Sequence, residues 1–149
     1  LNSKGSTQWA GLLKGEDVHN IEDAISRQEV FLAYRSNKIV GTFTLWSEQS
    51  IWDKDLWGED NSKEFFYLHR LALATTEHGK GTGRILIDKA KNIALLENKK
   101  GLRLDCVASN SYLNKFYKNN NFSFQKVVEN YYNGEGYQDY HLFSWENEN

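Results

Sequence analysis

The sequence predicts a mixed α/β fold of the α+β kind, in which helices flank a central mixed sheet. Three observations carry that expectation. A nearly continuous apolar run at 65–74 enters a glycine-rich turn, leaves it as an amphipathic helix over 82–98, and is followed by a second apolar run at 102–107. Two strands joined through a helix lie parallel, by a right-handed crossover. The runs at 29–35 and 38–47, and again at 122–128 and 137–145, alternate around turn-forming residues and read as antiparallel pairs.

Taken in order, residues 16–27 read as a helix with Val18, Ile21 and Ile25 on one face and Glu16 and Asp17 in its first turn. The hairpin around Ser36-Asn37 offers Phe31, Ala33, Val40, Phe43 and Leu45 to the core. Residues 48–62 are acidic and rich in tryptophan, follow neither period, and are expected to form a loop with at most one helical turn. The strand at 65–74 is interrupted only by His69 and Arg70, as befits a strand covered on both faces. The helix over 82–98 presents Leu86, Ile87, Ala90, Ile93 and Ala94 together, with Gly101 just past its end. Ser109 or Asn110 is placed to cap a short helix in which Leu113, Phe116 and Tyr117 share a face. The closing strands are joined across residues 130–136.

Composition bounds the function. A chain of 149 residues, 40% apolar and 26% charged, is expected to fold as one domain over 1–149 without repeats or linkers. It contains no apolar run long enough for a bilayer, and a membrane association is not expected. One cysteine fits a cytoplasmic location, and a net charge of −2 without a basic cluster argues against a nucleic-acid partner. The four histidines lack ligand spacing, so no metal is expected. The chain starts at Leu1 and lacks methionine and proline, as expected of a chain that is processed, truncated or stripped of modified residues.

The turn His78-Gly79-Lys80-Gly81-Thr82-Gly83-Arg84 reads as a pyrophosphate cradle. Glycines let backbone N–H groups converge with no Cβ in the way, and the positive end of the following helix points into the same concavity. Lys80 and Arg84 add cationic reach. The spacing does not fit a nucleotide-hydrolase loop. A dinucleotide fingerprint fares better with Gly81-Thr82-Gly83 and Asp105, but Leu86 stands where its third glycine belongs and Asp105 falls inside a strand.

With Tyr67-Leu68-His69-Arg70-Leu71-Ala72-Leu73 before it, and Leu104-Asp105-Cys106-Val107-Ala108-Ser109-Asn110, Phe116-Tyr117 and Phe122 after it, the loop resembles the acyl-CoA loop of the GNAT N-acetyltransferase superfamily. The resemblance covers roughly residues 29–145. His78 departs from the usual Gln or Arg, and Asn121 from the usual glycine, a position where asparagine tolerates the left-handed conformation that ends a helix. It implies a GNAT acyl-CoA-binding fold with a mixed sheet splayed at the middle, and with the family's first strand and helix absent or only partly present. It implies acetyl-CoA as cosubstrate, with its pantetheine arm along the backbone of Leu71, Ala72 and Leu73, its pyrophosphate on Gly79, Lys80, Gly81, Thr82, Gly83 and Arg84, and a side-chain contact from Asn110. A bulge in the Leu71–Leu73 stretch would free an N–H for the acetyl oxygen.

The implied reaction is acetyl transfer to a primary amine by direct attack in a ternary complex. Tyr117, seven residues after Asn110, matches the family's tyrosine acid, which protonates the departing thiolate. A lysine-like amine at neutral pH is roughly one part in a thousand free base, so a base or a desolvating site is required. Asp105 and His69 are the candidates; Asp105 is equally able to pair with Arg103 or Arg70, and His69 to be a satisfied sheet histidine. Cys106 reads as inert core rather than as an acetyl carrier. A non-catalytic acyl-CoA-binding module and a dinucleotide-binding module are the alternatives. The acceptor is expected to be a small-molecule or peptide amine. Residues 46–60 and the loop from Tyr131 to Tyr137, acidic and aromatic, favour a cationic small amine. A homodimer is allowed for.

Overall fold

A computed structural model of the chain describes residues 30–148. The helix expected at 16–27 lies outside the described residues, as does any strand or helix before it. The described elements are β1 (Val30–Arg35), β2 (Lys38–Trp46), α1 (Ile51–Trp57), β3 (Phe65–Leu73), a 3₁₀ turn (Thr75–Glu77), α2 (Thr82–Leu96), β4 (Gly101–Val107), α3 (Ser111–Asn119), β5 (Ser123–Tyr132) and β6 (Tyr137–Glu146). The strand order is β1-β2-β3-β4-β6-β5. None of the described helices is long and apolar enough to cross a membrane. The chain forms two compact units: residues 30–46 with Leu68–Asn92, and Ser47–Tyr67 with residues 93–148.

In the first unit, Ser36 and Asn37 both adopt positive φ (51° and 66°). That two-residue turn carries the twist of the antiparallel β1–β2 pair and brings Arg35 opposite Lys38. Ala33, Val40, Phe43 and Leu45 are buried as expected, and Phe31 stacks on Phe43 with ring centres 5.4 Å apart. Leu86, Ile87 and Ala90 of α2 are fully buried on the face the 3.6-residue period predicts. A Cβ on Gly41 would sit 2.4 Å from Leu86, so the bare β2 backbone makes room for that helix.

In the second unit, β4 and β6 pair antiparallel over seven positions, from Gly101↔Glu146 to Val107↔Tyr140. The parallel β3–β4 ladder is short by comparison, with three pairs, Phe65↔Gly101, Phe66↔Leu102 and Tyr67↔Arg103. β4 continues past that ladder to Val107. Along β4, Leu102, Leu104 and Cys106 face one side, and Arg103, Asp105 and Val107 the other. Leu56 of α1 packs with Tyr140 and Leu142 on the Asp105 side, and Tyr117 of α3 packs on Phe143 on the Cys106 side.

Three boundaries differ from the sequence reading. Residues 51–57 form a helix of nearly two turns, because Ser50 and Asp53 build a reciprocal capping box. Gly101 opens β4 instead of ending α2; Asn98, at φ 59°, takes the left-handed position after the helix. The β5–β6 hairpin is longer than expected because its turn is tight, with Asn133 Oδ1 accepting from the N–H groups of Glu135 and Gly136. Asn121 does adopt the left-handed conformation anticipated for it, at φ 69°.

Candidate active site

The first unit holds the glycine loop. Gly79 and Gly81 both sit at φ +79°, and a Cβ built on either meets nothing within 4 Å. Their backbones therefore face open space in a conformation that L side chains rarely adopt. His78, Lys80 and Arg84 are exposed around them, and Thr82, the first residue of α2, is buried. Upstream, β3 carries Arg70 at φ 56° in its interior, a left-handed residue within a strand. Beyond it Ala72 is buried, with Leu71 and Leu73 half-buried. His69, half-buried, lies against Trp46 with ring centres 4.9 Å apart, and the Arg70 guanidinium stands 5.8 Å from the Trp46 ring centre.

The second unit holds Tyr117, Asp105 and Asn110. Asn110 caps α3: its Oδ1 accepts from the Leu113 N–H at 2.9 Å, so what it can offer a ligand is its Nδ2 donor. Two turns on, Tyr117 is buried among Phe116, Phe122 and Phe143. Burial holds its phenol well above the usual tyrosine range, and the neighbouring Cys106 and Asp105 push the same way. Burial likewise pushes the Cys106 thiol up to about 11, with Asp105 adding to it, so at neutral pH it is a thiol and a poor nucleophile.

Asp105 faces the other side of the β4–β6 ladder from Tyr117. Its Oδ2 accepts a hydrogen bond from Trp52 Nε1 at 3.0 Å. Arg103, two residues earlier, pairs with Asp60 at 3.3 Å, donates to the Tyr67 hydroxyl at 2.9 Å and lies over the rings of Trp57 and Phe65. Around Asp105, Trp52 meets Tyr131 and Tyr140 edge-on, both with ring centres 5.1 Å away. Tyr131 donates to Asp55 at 2.7 Å, a bond that raises its phenol to about 12. The two segments expected to border the acceptor therefore meet in one aromatic and acidic cluster.

Two arrangements escaped the sequence reading. Glu77 accepts from Thr82 Oγ1 at 2.7 Å and pairs with Arg35 at the hairpin end. In the second unit, Asn114 Nδ2 donates to the carbonyls of Val107, Ala108 and Asn110, which turns its Oδ1 to His141 Nδ1 at 2.6 Å. Neither had a local signal, since the partners come from different elements. The helix of Trp52 did have one: Ser50-Ile51-Trp52-Asp53 is a capping pattern legible in the sequence.

A profile of the Acetyltransferase (GNAT) family matches residues 7–122. The chain belongs to the GNAT acetyltransferase family. It is 36% identical over 146 residues to the uncharacterized N-acetyltransferase YesJ of Bacillus subtilis, a match that spans 98% of this chain and 77% of that relative. Among solved structures, a GNAT-family acetyltransferase from Listeria monocytogenes superposes with a TM-score of 0.70 at 33% identity, covering 96% of this chain and 78% of the other. A Bacillus anthracis protein described as a streptothricin acetyltransferase, solved in complex with acetyl coenzyme A, shares the fold with a TM-score of 0.63 at 20% identity, over 80% of this chain and 62% of that one.

Proposed function

We propose that this GNAT chain transfers the acetyl group of acetyl-CoA to a primary amine by direct attack in a ternary complex. The observation that carries the reading is the glycine loop: two left-handed glycines with open space at their Cβ positions, just before α2, flanked by the exposed cations Lys80 and Arg84. Such a backbone fits a diphosphate. The Gly79, Lys80, Gly81, Thr82, Gly83 and Arg84 segment would hold it, with the pantetheine arm along Leu71, Ala72 and Leu73 and a side-chain contact from Asn110. Bound acetyl-CoA supplies an activated thioester whose carbonyl carbon the amine attacks.

Tyr117 then acts as a proton donor to the departing sulfur. Its raised pKa keeps the phenol protonated throughout the working range, and a sulfur held in the same desolvated surroundings is correspondingly easier to protonate. Asp105, presented on the opposite face of β4, is suited to receive the ammonium and accept its proton, with Trp52 fixing one carboxylate oxygen. His69 is the second candidate base. The acceptor reading rests on Trp52, Tyr131 and Tyr140 beside Asp55 and Asp105: rings and carboxylates favour a small cationic amine, with cation–π contacts worth ~0.5–2 kcal/mol.

Calorimetry with acetyl-CoA, followed by CoA release against an amine panel, tests both halves. Gly81→Val is expected to weaken binding several-fold, since a branched side chain fills the space a phosphate needs and is strained at that φ. Unchanged affinity would remove the loop from the cofactor site. Cationic amines should show the higher kcat/KM, by a margin that shrinks as salt is added; a preference for neutral or anionic amines would reverse the acceptor reading.

A further inference from the structure

Glu77 is a carboxylate in an unexpected place. It is 7% exposed and closes the 3₁₀ turn immediately before a loop read as binding a diphosphate. An anion beside the positive end of α2 would ordinarily work against a second anion. Its partners show what it does instead. One oxygen, Oε1, takes the Thr82 hydroxyl at 2.7 Å and the Arg35 guanidinium. Thr82 is itself 1% exposed, so this bond is shielded from water and holds the residue just after the loop to the residue just before it. The Thr82 bond, with Arg35 beside it, holds the Glu77 carboxyl below the usual carboxylate range, and it is ionised at neutral pH. Within the turn the backbone bond from Lys80 N–H to Glu77 O is long, at 3.3 Å, whereas the side-chain bridge from Thr82 to Glu77 is short.

We propose that Glu77 is a positioning residue for the diphosphate loop: by bridging Thr82 across residues 78–81, with its charge neutralised by Arg35 from the hairpin, it forms the cradle before the cofactor arrives. The proposal rests on the acetyl-CoA reading above. Two left-handed glycines give the loop many alternative conformations, and a clasp across its ends removes most of them from the free protein. Arg35 does more than tie the hairpin to the turn. It offsets the negative charge that an incoming phosphate would meet.

The test uses Glu77→Ala, Glu77→Gln and Thr82→Val in the full chain, with three readouts: CoA affinity by calorimetry, amide hydrogen exchange of residues 78–83 without ligand, and steady-state kinetics. Glu77→Ala and Thr82→Val are each expected to weaken CoA and raise KM for acetyl-CoA by about tenfold, the scale of one lost charge-assisted hydrogen bond, with kcat nearly unchanged. Both should speed exchange in 78–83, and the double variant should be no worse than either alone. Glu77→Gln can still accept from Thr82, without the charge, and should recover part of the affinity. Wild-type affinity and exchange in both single variants overturn the proposal while leaving the cofactor reading standing. Additive losses in the double variant, or a Glu77→Gln variant as weak as Glu77→Ala, also overturn it. Failure of the wild-type chain to bind CoA overturns the cofactor reading and this proposal together. Thr82→Val, a nearly isosteric change, supplies the answer if Glu77→Ala does not fold.

Discussion

Tyr117 combines a buried ring with a hydroxyl proposed to protonate the departing sulfur, and the two roles are expected to separate under substitution. Tyr117→Phe keeps the contacts with Phe122 and Phe143, so melting temperature and CoA affinity should hold while kcat falls roughly 10²-fold; wild-type turnover would leave the residue as packing. Asp105 is expected to act on the acceptor side. Asp105→Asn preserves an acceptor for the Trp52 indole yet removes the charge, so kcat/KM for the amine should fall and its pH profile should lose the limb set by the carboxylate, with acetyl-CoA affinity unchanged. These residues were legible because their spacing along β4 and α3 is a local property. What sequence could not show is that Asp105 of β4 and Tyr117 of α3 lie on opposite faces of the β4–β6 ladder, since that depends on which neighbours α1 and α3 find on β6. Glu77 was illegible for a related reason: the Arg35 that offsets its charge comes from β1, far away in the sequence.

At the scale of elements, period and turn chemistry carried most of the fold. The Ser36-Asn37 hairpin, the buried stripe of α2 and the Asn110 cap stand where the sequence puts them. The exception was α1, too short for its period to register in a segment crowded with tryptophan and acid, and visible only through the Ser50 and Asp53 capping pattern. Ser50→Ala should therefore cost about 0.5–2 kcal/mol in chemical denaturation and loosen the placement of Trp52 beside Asp105. Gly101 makes a sharper demand. A Cβ there would lie 1.8 Å from the Trp145 carbonyl oxygen, a backbone atom that cannot swing aside. Gly101→Ala is expected to destabilise the chain by about 2–4 kcal/mol in the same assay, far more than alanine usually costs in a strand.

For the molecule as a whole, two hydrogen-bonded carboxyls with lowered pKa values contribute to its acid sensitivity. Asp60 is held below its ordinary 3.8 by bonds from Ser62 and by Arg103, and Glu77 below 4.5 by Thr82 and Arg35. Groups whose folded pKa is depressed stabilise fully above their unfolded values, and that contribution fades as pH falls from there through the folded ones. Melting temperature should thus decline below about pH 4.5, and Asp60→Asn or Glu77→Gln should each flatten the decline; a slope unchanged in both would assign acid sensitivity elsewhere. The three-pair ladder between β3 and β4 has a kinetic consequence. Both hairpins close through tight turns and can form within microseconds, whereas Phe65 reaches Gly101 only after all of α2 has been threaded between them. The parallel pairing is expected to follow the two hairpins, and a chain arrested before it would carry both tight turns but not the contact of Trp52 with Tyr131, which spans a still longer stretch of chain.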